Sequence, residues 1–518
     1  MLSKHINPES LLESSKDHCL TTLLAKDNEI QTAYGHRYAT GDIPKFQIPD
    51  TGIGASAAYQ LIHDELDLDG HPNLNLASFV HTWMEPEADK LMIENVMKNL
   101  ADSDEYPALM AVHTRCISML ANLWNIPKGQ DHQAVGTATT GSSEAIHLGG
   151  LAMKRLWQEK RRAQGKDTSK PNIIMGTNAQ VALEKFARYF EVEARMVNAT
   201  EESHHCLDPK KAMEFVDENT IAKTGIDIPI HVDGASGAMF APFAHPSVKF
   251  GFDIPRVKSI NTSGHKFGLT YVGLGWILWR GEEYLPKHLI FELHYLGGTE
   301  ESYTLNFSRP GAQVLLQYFS FLHLGFEGYK AIQRNDLLNA RILSRALEAT
   351  GYYLCVSDIH RKKGTFKFDP NAKAVNDNNP EAYNAGLPVV AFRLTDEFKK
   401  EYPHIAQATV STLLRVKGWI IPNYPLAPTE EKIEILRVVV RGSFSTDLCS
   451  RLISDIVETT ETLMSSQTLD MSALNFSSNR VEKKEGSMKD HTKGEKNGNH
   501  SKHGRAVHRK RGLYRTTC

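Results

Sequence analysis

Apolar residues along this chain keep three rhythms, and each ends at glycine or proline. At 55–66 and again at 86–99 they recur every three to four residues, which predicts two helices around a turn-rich loop, 67–76, holding Gly70 and Pro72. A third helix opens after the small-residue run Gly136-Thr-Ala-Thr-Thr-Gly-Ser-Ser-Glu144 and runs to about Arg162, with Ile146, Leu148, Leu151 and Leu156 as its buried positions. A charged loop over 161–171 leads to a short strand at 172–175, and Gln180 begins another helix. The second rhythm is continuous: Tyr-Val-Gly-Leu-Gly-Trp-Ile-Leu-Trp at 271–279 reads as a buried strand, and a shorter β-branched run ends in Asp233. After about Asp336 helices alternate with short strands, among them 388–394 and 435–440. The third rhythm is polar. Residues 1–60, broken by Pro44, Pro49, Gly52 and Gly54, predict a short helix and an extended arm that packs on a partner subunit. Residues 373–385 predict a surface loop, and from about Ser466 disorder is the expectation.

Composition narrows the function classes. The 518 residues suffice for two or more domains, and a net charge of −2 gives no general signal for nucleic acid. No 18-residue apolar run exists, and the first residues lack the apolar stretch of a secretory signal, so neither a membrane span nor export is expected. Six cysteines lie scattered without Cys-x-x-Cys spacing, which fits reduced thiols in the cytoplasm. His204-His205-Cys206 is read as a loop, because adjacent ligands rarely reach one ion, and no metal is expected.

Candidate chemistry centres on Ser259-Ile-Asn-Thr-Ser-Gly-His-Lys-Phe-Gly268, just before the buried run. A lysine enclosed there favours its neutral amine, which can attack a carbonyl. The aldehyde of pyridoxal phosphate (PLP) is such a carbonyl, and its ring nitrogen needs an acid, for which Asp233 in His231-Val-Asp-Gly-Ala-Ser-Gly237 is placed. The small residues before Ser142 and Ser143 leave helix-start N–H groups for an anion, though an ordinary serine cap explains them locally as well.

Taken together, HVDGASG, SINTSGHKFG and GTATTGSSEA resemble the glutamate decarboxylases of the group II PLP-dependent decarboxylase family. The resemblance runs from about Asp64 to Arg441 through NLASF, DEYP, KFARYF, DENTI, PRVKSI, HYLGG and NFSRP. It implies an α/β, fold-type-I architecture, with a large mixed or parallel sheet domain at 66–336, a smaller α+β domain at 337–465, an N-terminal arm at 1–65 and a tail at 466–518. It implies Lys266 as the PLP lysine and Asp233 as the ring partner. Ser142, Ser143, Ser263 and His265 are implied at the phosphate, and Gln180 and Ala235 beside the ring. Ser78, Phe79, Asn99 and Asp102 are implied near the distal carboxylate of L-glutamate, and Arg437 at its α-carboxylate. Phe307 and Ser308 resemble a loop that reaches a neighbouring subunit's site, so a homo-oligomer is implied. Plant members carry a basic, tryptophan-containing tail that binds calmodulin; this tail is basic but has no tryptophan and no apolar helical face.

One place departs from the resemblance. Asp217-Glu-Asn-Thr-Ile221 should enter a strand, yet Asp233 closes the next one only twelve residues later. A parallel crossover alone needs about a dozen residues, and the family has a whole βα unit here. The expectation is a sheet lacking one βα unit near 221–223, its neighbours left unpaired. The function that the resemblance implies is PLP-dependent decarboxylation of L-glutamate to 4-aminobutyrate and CO2; one alternative is an impaired chain that joins an intact decarboxylase. A PLP decarboxylase of another amino acid is the remaining alternative; Ser78, Asn99, Asp102 and Arg437 suit a dicarboxylate better.

Overall fold

A computed structural model describes residues 48–127, 135–220, 228–293, 300–369 and 379–466. The N-terminal arm up to residue 47, the junction 221–227 and the tail from 467 lie outside them. The chain divides into two compact units at His71/Pro72. In the first, helix α1 (Ala55–Leu66) buries no residue, and its Tyr59, Ile62 and Leu66 are exposed.

In the second unit, helices α2 (Pro86–Asn95) and α3 (Pro107–Leu123) each start with proline, whose fixed φ suits a first helical turn. A four-stranded sheet then takes the order β1-β6-β5-β4. Its strands are β1 (Val135–Thr139), β4 (Ile230–Asp233), β5 (Val257–Ser263) and β6 (Gly275–Trp279); β4 and β5 are parallel, and β6 runs antiparallel to β1 and β5. Every residue of β6 is buried, which explains its unbroken apolar run: Trp276 and Leu278 join one core with Trp124, Phe240 and Ile260, while Ile277 and Trp279 pack on helix α4 (Ser142–Ala163). The strand begins only at Gly275; Gly273, at φ +108°, holds the preceding residues in a loop. Of the positions expected to be buried on α4, Ile146 and Leu148 are, whereas Leu151 and Leu156 are half-buried. Gly149, Gly150 and Ala152 take the inner face instead, because a Cβ at Gly150 would stand 2.5 Å from the Phe186 ring of helix α5 (Val181–Tyr189).

The sheet is divided. Strands β2 (Asn172–Gly176) and β3 (Glu193–Val197) form a separate parallel pair. Beside β2 the chain makes one parallel bridge, Asn172 with Thr220, and next forms a described strand at β4, which pairs only with β5 among the described residues. A small hairpin, β7 (Phe291–Leu293) with β8 (Glu300–Ser302), precedes the long helix α6 (Ala312–Ala349), which bends at Gly325. The C-terminal layer is an antiparallel sheet ordered β11-β12-β10-β9, made of β9 (Tyr353–Cys355), β10 (Val389–Leu394), β11 (Asn423–Pro425) and β12 (Glu434–Val439). It packs on α6, α7 (Gln407–Val416) and α8 (Thr446–Ser465) through Leu343, Phe392, Leu414, Leu436 and Ile456.

Candidate active site

Strand β5 delivers the lysine. At its end Lys266 N–H donates to Ser263 O (3.3 Å) and Thr270 N–H to Gly264 O (3.2 Å), a turn tight enough that a Cβ at Gly268 would stand 2.5 Å from Gly264 O. Two buried α6 side chains, Gln317 and Tyr329, both donate to Gly268 O, at 2.9 and 2.8 Å. Two buried donors on one carbonyl fix the loop firmly, since losing both would strand a desolvated acceptor.

The half-buried Lys266 places Nζ 5.4 Å from the centre of the Phe79 ring, and the Arg437 guanidinium of β12 lies 5.4 Å from the same centre. Arg437 also faces Tyr424 at 5.6 Å and donates to Ala77 O, while its buried Nε has no hydrogen-bond partner among the described residues. With Tyr424 and Gln180 it lines a cleft of about 950 Å³. His265 is pushed down to about 4 by burial and, secondarily, by Lys266, so it is neutral, and its Nδ1 accepts from Leu274 N–H at 3.4 Å.

The helix start converges here as well. Ser142 Oγ lies 2.6 Å from Ser263 Oγ, three residues before the lysine, while Ser143 is exposed. A Cβ at Gly275 would meet the Gly141 backbone at 2.5 Å, so β6 approaches the start of α4 this closely only because residue 275 is glycine. At the end of β4, Asp233 Oδ1 accepts from Ala235 N–H and from Asn261 Nδ2, both at 3.2 Å.

Comparison with known proteins is decisive at this point. A family described as "Pyridoxal-dependent decarboxylase conserved domain" matches residues 54–223 and 214–368. The chain belongs to that family. It is similar to glutamate decarboxylase of Saccharomyces cerevisiae, at 46% identity over 88% of each chain, and to glutamate decarboxylase 5 of Arabidopsis thaliana, at 44% over 85% of this chain and 88% of that one. Among solved structures, a Lactobacillus brevis glutamate decarboxylase superposes with TM-score 0.75 and 32% identity over 84% of this chain and 99% of that one. A Burkholderia pseudomallei sphingosine-1-phosphate lyase, at TM-score 0.63 and 19% identity, shares the fold over 82% of this chain and 95% of its own. The two family segments overlap at 214–223, where the sheet divides.

The residues present fit the PLP of a pyridoxal-dependent decarboxylase. A 22-residue helix opens at Ser142, a lysine stands at the end of β5, and an exposed carboxylate ends the neighbouring strand. Asn99, Asp102 and Ser308 gather in a second cluster: Asn99 Nδ2 donates to Asp102 Oδ1 (3.0 Å) and to Ser308 Oγ (3.4 Å), and Asn99 Oδ1 accepts from Arg309 N–H (2.9 Å). Ser78 Oγ accepts from Val80 N–H at 3.1 Å, Phe307 is exposed, and Gln180 Oε1 caps α5 by accepting from Ala182 N–H at 2.6 Å. Sequence reasoning gave no role to Asn261, His231 or Tyr424. For the first, the available signal was Ser259, Asn261 and Ser263 at alternate positions of a buried strand, a polar face where burial demands partners.

Proposed function

We propose that this chain holds PLP on Lys266 and converts L-glutamate to 4-aminobutyrate and CO2. The convergence of Lys266 and Arg437 on one aromatic ring, each 5.4 Å from its centre, carries this reading. Bound there, the cofactor would supply an electron sink for the pair left on Cα when the carboxylate departs as CO2. Asp233 keeps the ring nitrogen protonated, Ala235 lies beside the ring, and Ser142, Ser143, Ser263 and neutral His265 hold the phosphate. Arg437, with a free buried Nε, takes the α-carboxylate as a planar donor, and Phe79 walls it from water. Ser78 and Asn99 donate to the distal carboxylate, with Asp102 orienting the Asn99 amide. Exposed Tyr59, Ile62 and Leu66 on α1, with the exposed Phe307 loop, support a homo-oligomer in which that loop serves a neighbouring copy. Free, buried Cys116, Cys355 and Cys449 support a reducing, cytoplasmic setting.

The test is release of labelled CO2 from carboxyl-labelled glutamate by the purified chain with PLP, against aspartate and an aromatic amino acid. Turnover of glutamate alone supports the reading; turnover of another substrate overturns the assignment. The divided sheet favours a second reading, an inactive subunit that associates with an intact decarboxylase. No turnover, together with co-purification with an intact homologue, establishes that reading.

A further inference from the structure

The polar face of β5 continues below the cofactor lysine into a set of bonds that the proposed reaction does not use. Asp233 pairs in register with Asn261, and His231 with Ser259, so these four side chains share one face while Val232 and Ile260 turn to the opposite core. Ser259 and Asn261 are fully buried. His231 Nδ1 lies 2.8 Å from Ser259 Oγ and Nε2 lies 2.7 Å from Asn261 Oδ1, and Asn261 Nδ2 reaches Asp233 Oδ1 at 3.2 Å.

Satisfying every group gives these bonds one direction. A carboxylate oxygen accepts, so Asn261 turns its NH2 to Asp233 and its carbonyl oxygen to His231. That oxygen only accepts, so His231 carries its proton on Nε2. Burial lowers the His231 pKa, which keeps the ring neutral, and Nδ1 is therefore an acceptor for the Ser259 hydroxyl. Helix α4 makes room for the ring: a Cβ at Gly149 would stand 2.8 Å from His231 Cε1 and 2.9 Å from Nδ1. Both donors to Asp233, Asn261 and Ala235 N–H, reach Oδ1; among the described residues no donor reaches Oδ2.

We propose that Ser259, His231 and Asn261 form a one-way hydrogen-bond chain that fixes Oδ1 of Asp233 and turns Oδ2 toward the cofactor's ring nitrogen. The inference rests on the PLP reading, and these three are positioning residues. The chain matters more here than in a complete sheet, because β4 has a described strand on only one side and Asn261 ties the end of β4 to β5 across that side.

Two measurements test it. Nitrogen-15 NMR of histidine-labelled chain without cofactor, with the His231 signals identified by their loss in His231→Gln, reads the tautomer. The expected result is Nε2–H in the unaltered chain, a mixture of tautomers in Asn261→Ala, and no change in Thr262→Val, whose hydroxyl lies on the other face of β5 without a partner among the described residues. Nδ1–H in the unaltered chain, or an unmoved tautomer in Asn261→Ala, overturns the proposal. In the loaded chain, Asn261→Ala is expected to weaken PLP binding about tenfold while Thr262→Val leaves it alone; equal affinities overturn the proposal. If the unaltered chain fails to hold PLP at all, the cofactor reading falls, and the tautomer result still decides whether the hydrogen-bond chain exists.

Discussion

At the scale of single residues, the site depends on buried polar groups whose partners are incomplete within the described chain. Arg437 is the sharpest case: its guanidinium is almost fully buried, touches two aromatic rings and keeps Nε unpaired. Exchanging it for lysine retains the charge and removes the planar fork. Arg437→Lys should lower kcat/KM for glutamate roughly 10- to 100-fold, mostly through KM, with little change in the denaturation midpoint. Steady-state kinetics beside a urea titration checks this; an unchanged KM means another group holds the carboxylate. The burial of this residue was legible in the sequence, because valines flank it in Leu-Arg-Val-Val-Val-Arg, whereas its carboxylate role came from the resemblance alone. His231 and Asn261 were not, since their importance comes from register between strands 28 and 30 residues apart.

At the scale of elements, the contacts that place the cofactor cradle are close approaches of backbone. Gly275 lets β6 lie against the β1–α4 turn, and its missing Cβ would meet Gly141 at 2.5 Å and Thr139 Oγ1 at 2.7 Å. Because the obstruction is backbone, it cannot yield by a rotamer change. Gly275→Ala should cost about 1–3 kcal/mol and weaken PLP binding, read as a shifted urea midpoint and a raised PLP dissociation constant. Strand β1 is also pinned by His113, whose Nε2 accepts from Ala138 N–H at 2.9 Å and which burial pushes down to about 4. His81 and His265 are likewise held near 4 by burial. Below 6.5 an unfolded histidine takes up a proton that the folded one refuses until about 4, so stability is full above 6.5 and falls as acid is added. Each such histidine contributes a slope of about 1.4 kcal/mol per pH unit across that window. His113→Gln, which can still accept from Ala138, should flatten the fall by one proton. Urea midpoints between pH 7 and 4.5 decide it, and an unchanged slope would contradict the burial account. The helices and strands themselves were largely legible, since periodicity marks α1, α4, β2 and β10 to within a few residues. On α4, Ile146 and Leu148 were read correctly, but the remaining inner positions were missed because close helix packing selects glycine and alanine, which carry no hydrophobic rhythm.

At the scale of the whole molecule, the large domain is a family sheet with an interruption. The short junction in the sequence predicted unpaired neighbours, and the described strands separate into β1-β6-β5-β4 and β2-β3 with only the Asn172–Thr220 bridge at the break. Replacing residues 221–227 with a βα segment of about thirty residues should join the two parts. The expected outcome is a higher thermal midpoint and protection from hydrogen exchange along β4; no change in either would mean the divided sheet is complete as it stands.

The central claim is that the cradle of Ser142, Asp233, His265 and Lys266 survives that interruption as a PLP site. Intact mass after PLP loading and borohydride reduction, with the labelled peptide sequenced, tests it most directly. The account predicts one pyridoxyl group per chain, on Lys266. No adduct, or label scattered over surface lysines, would contradict it.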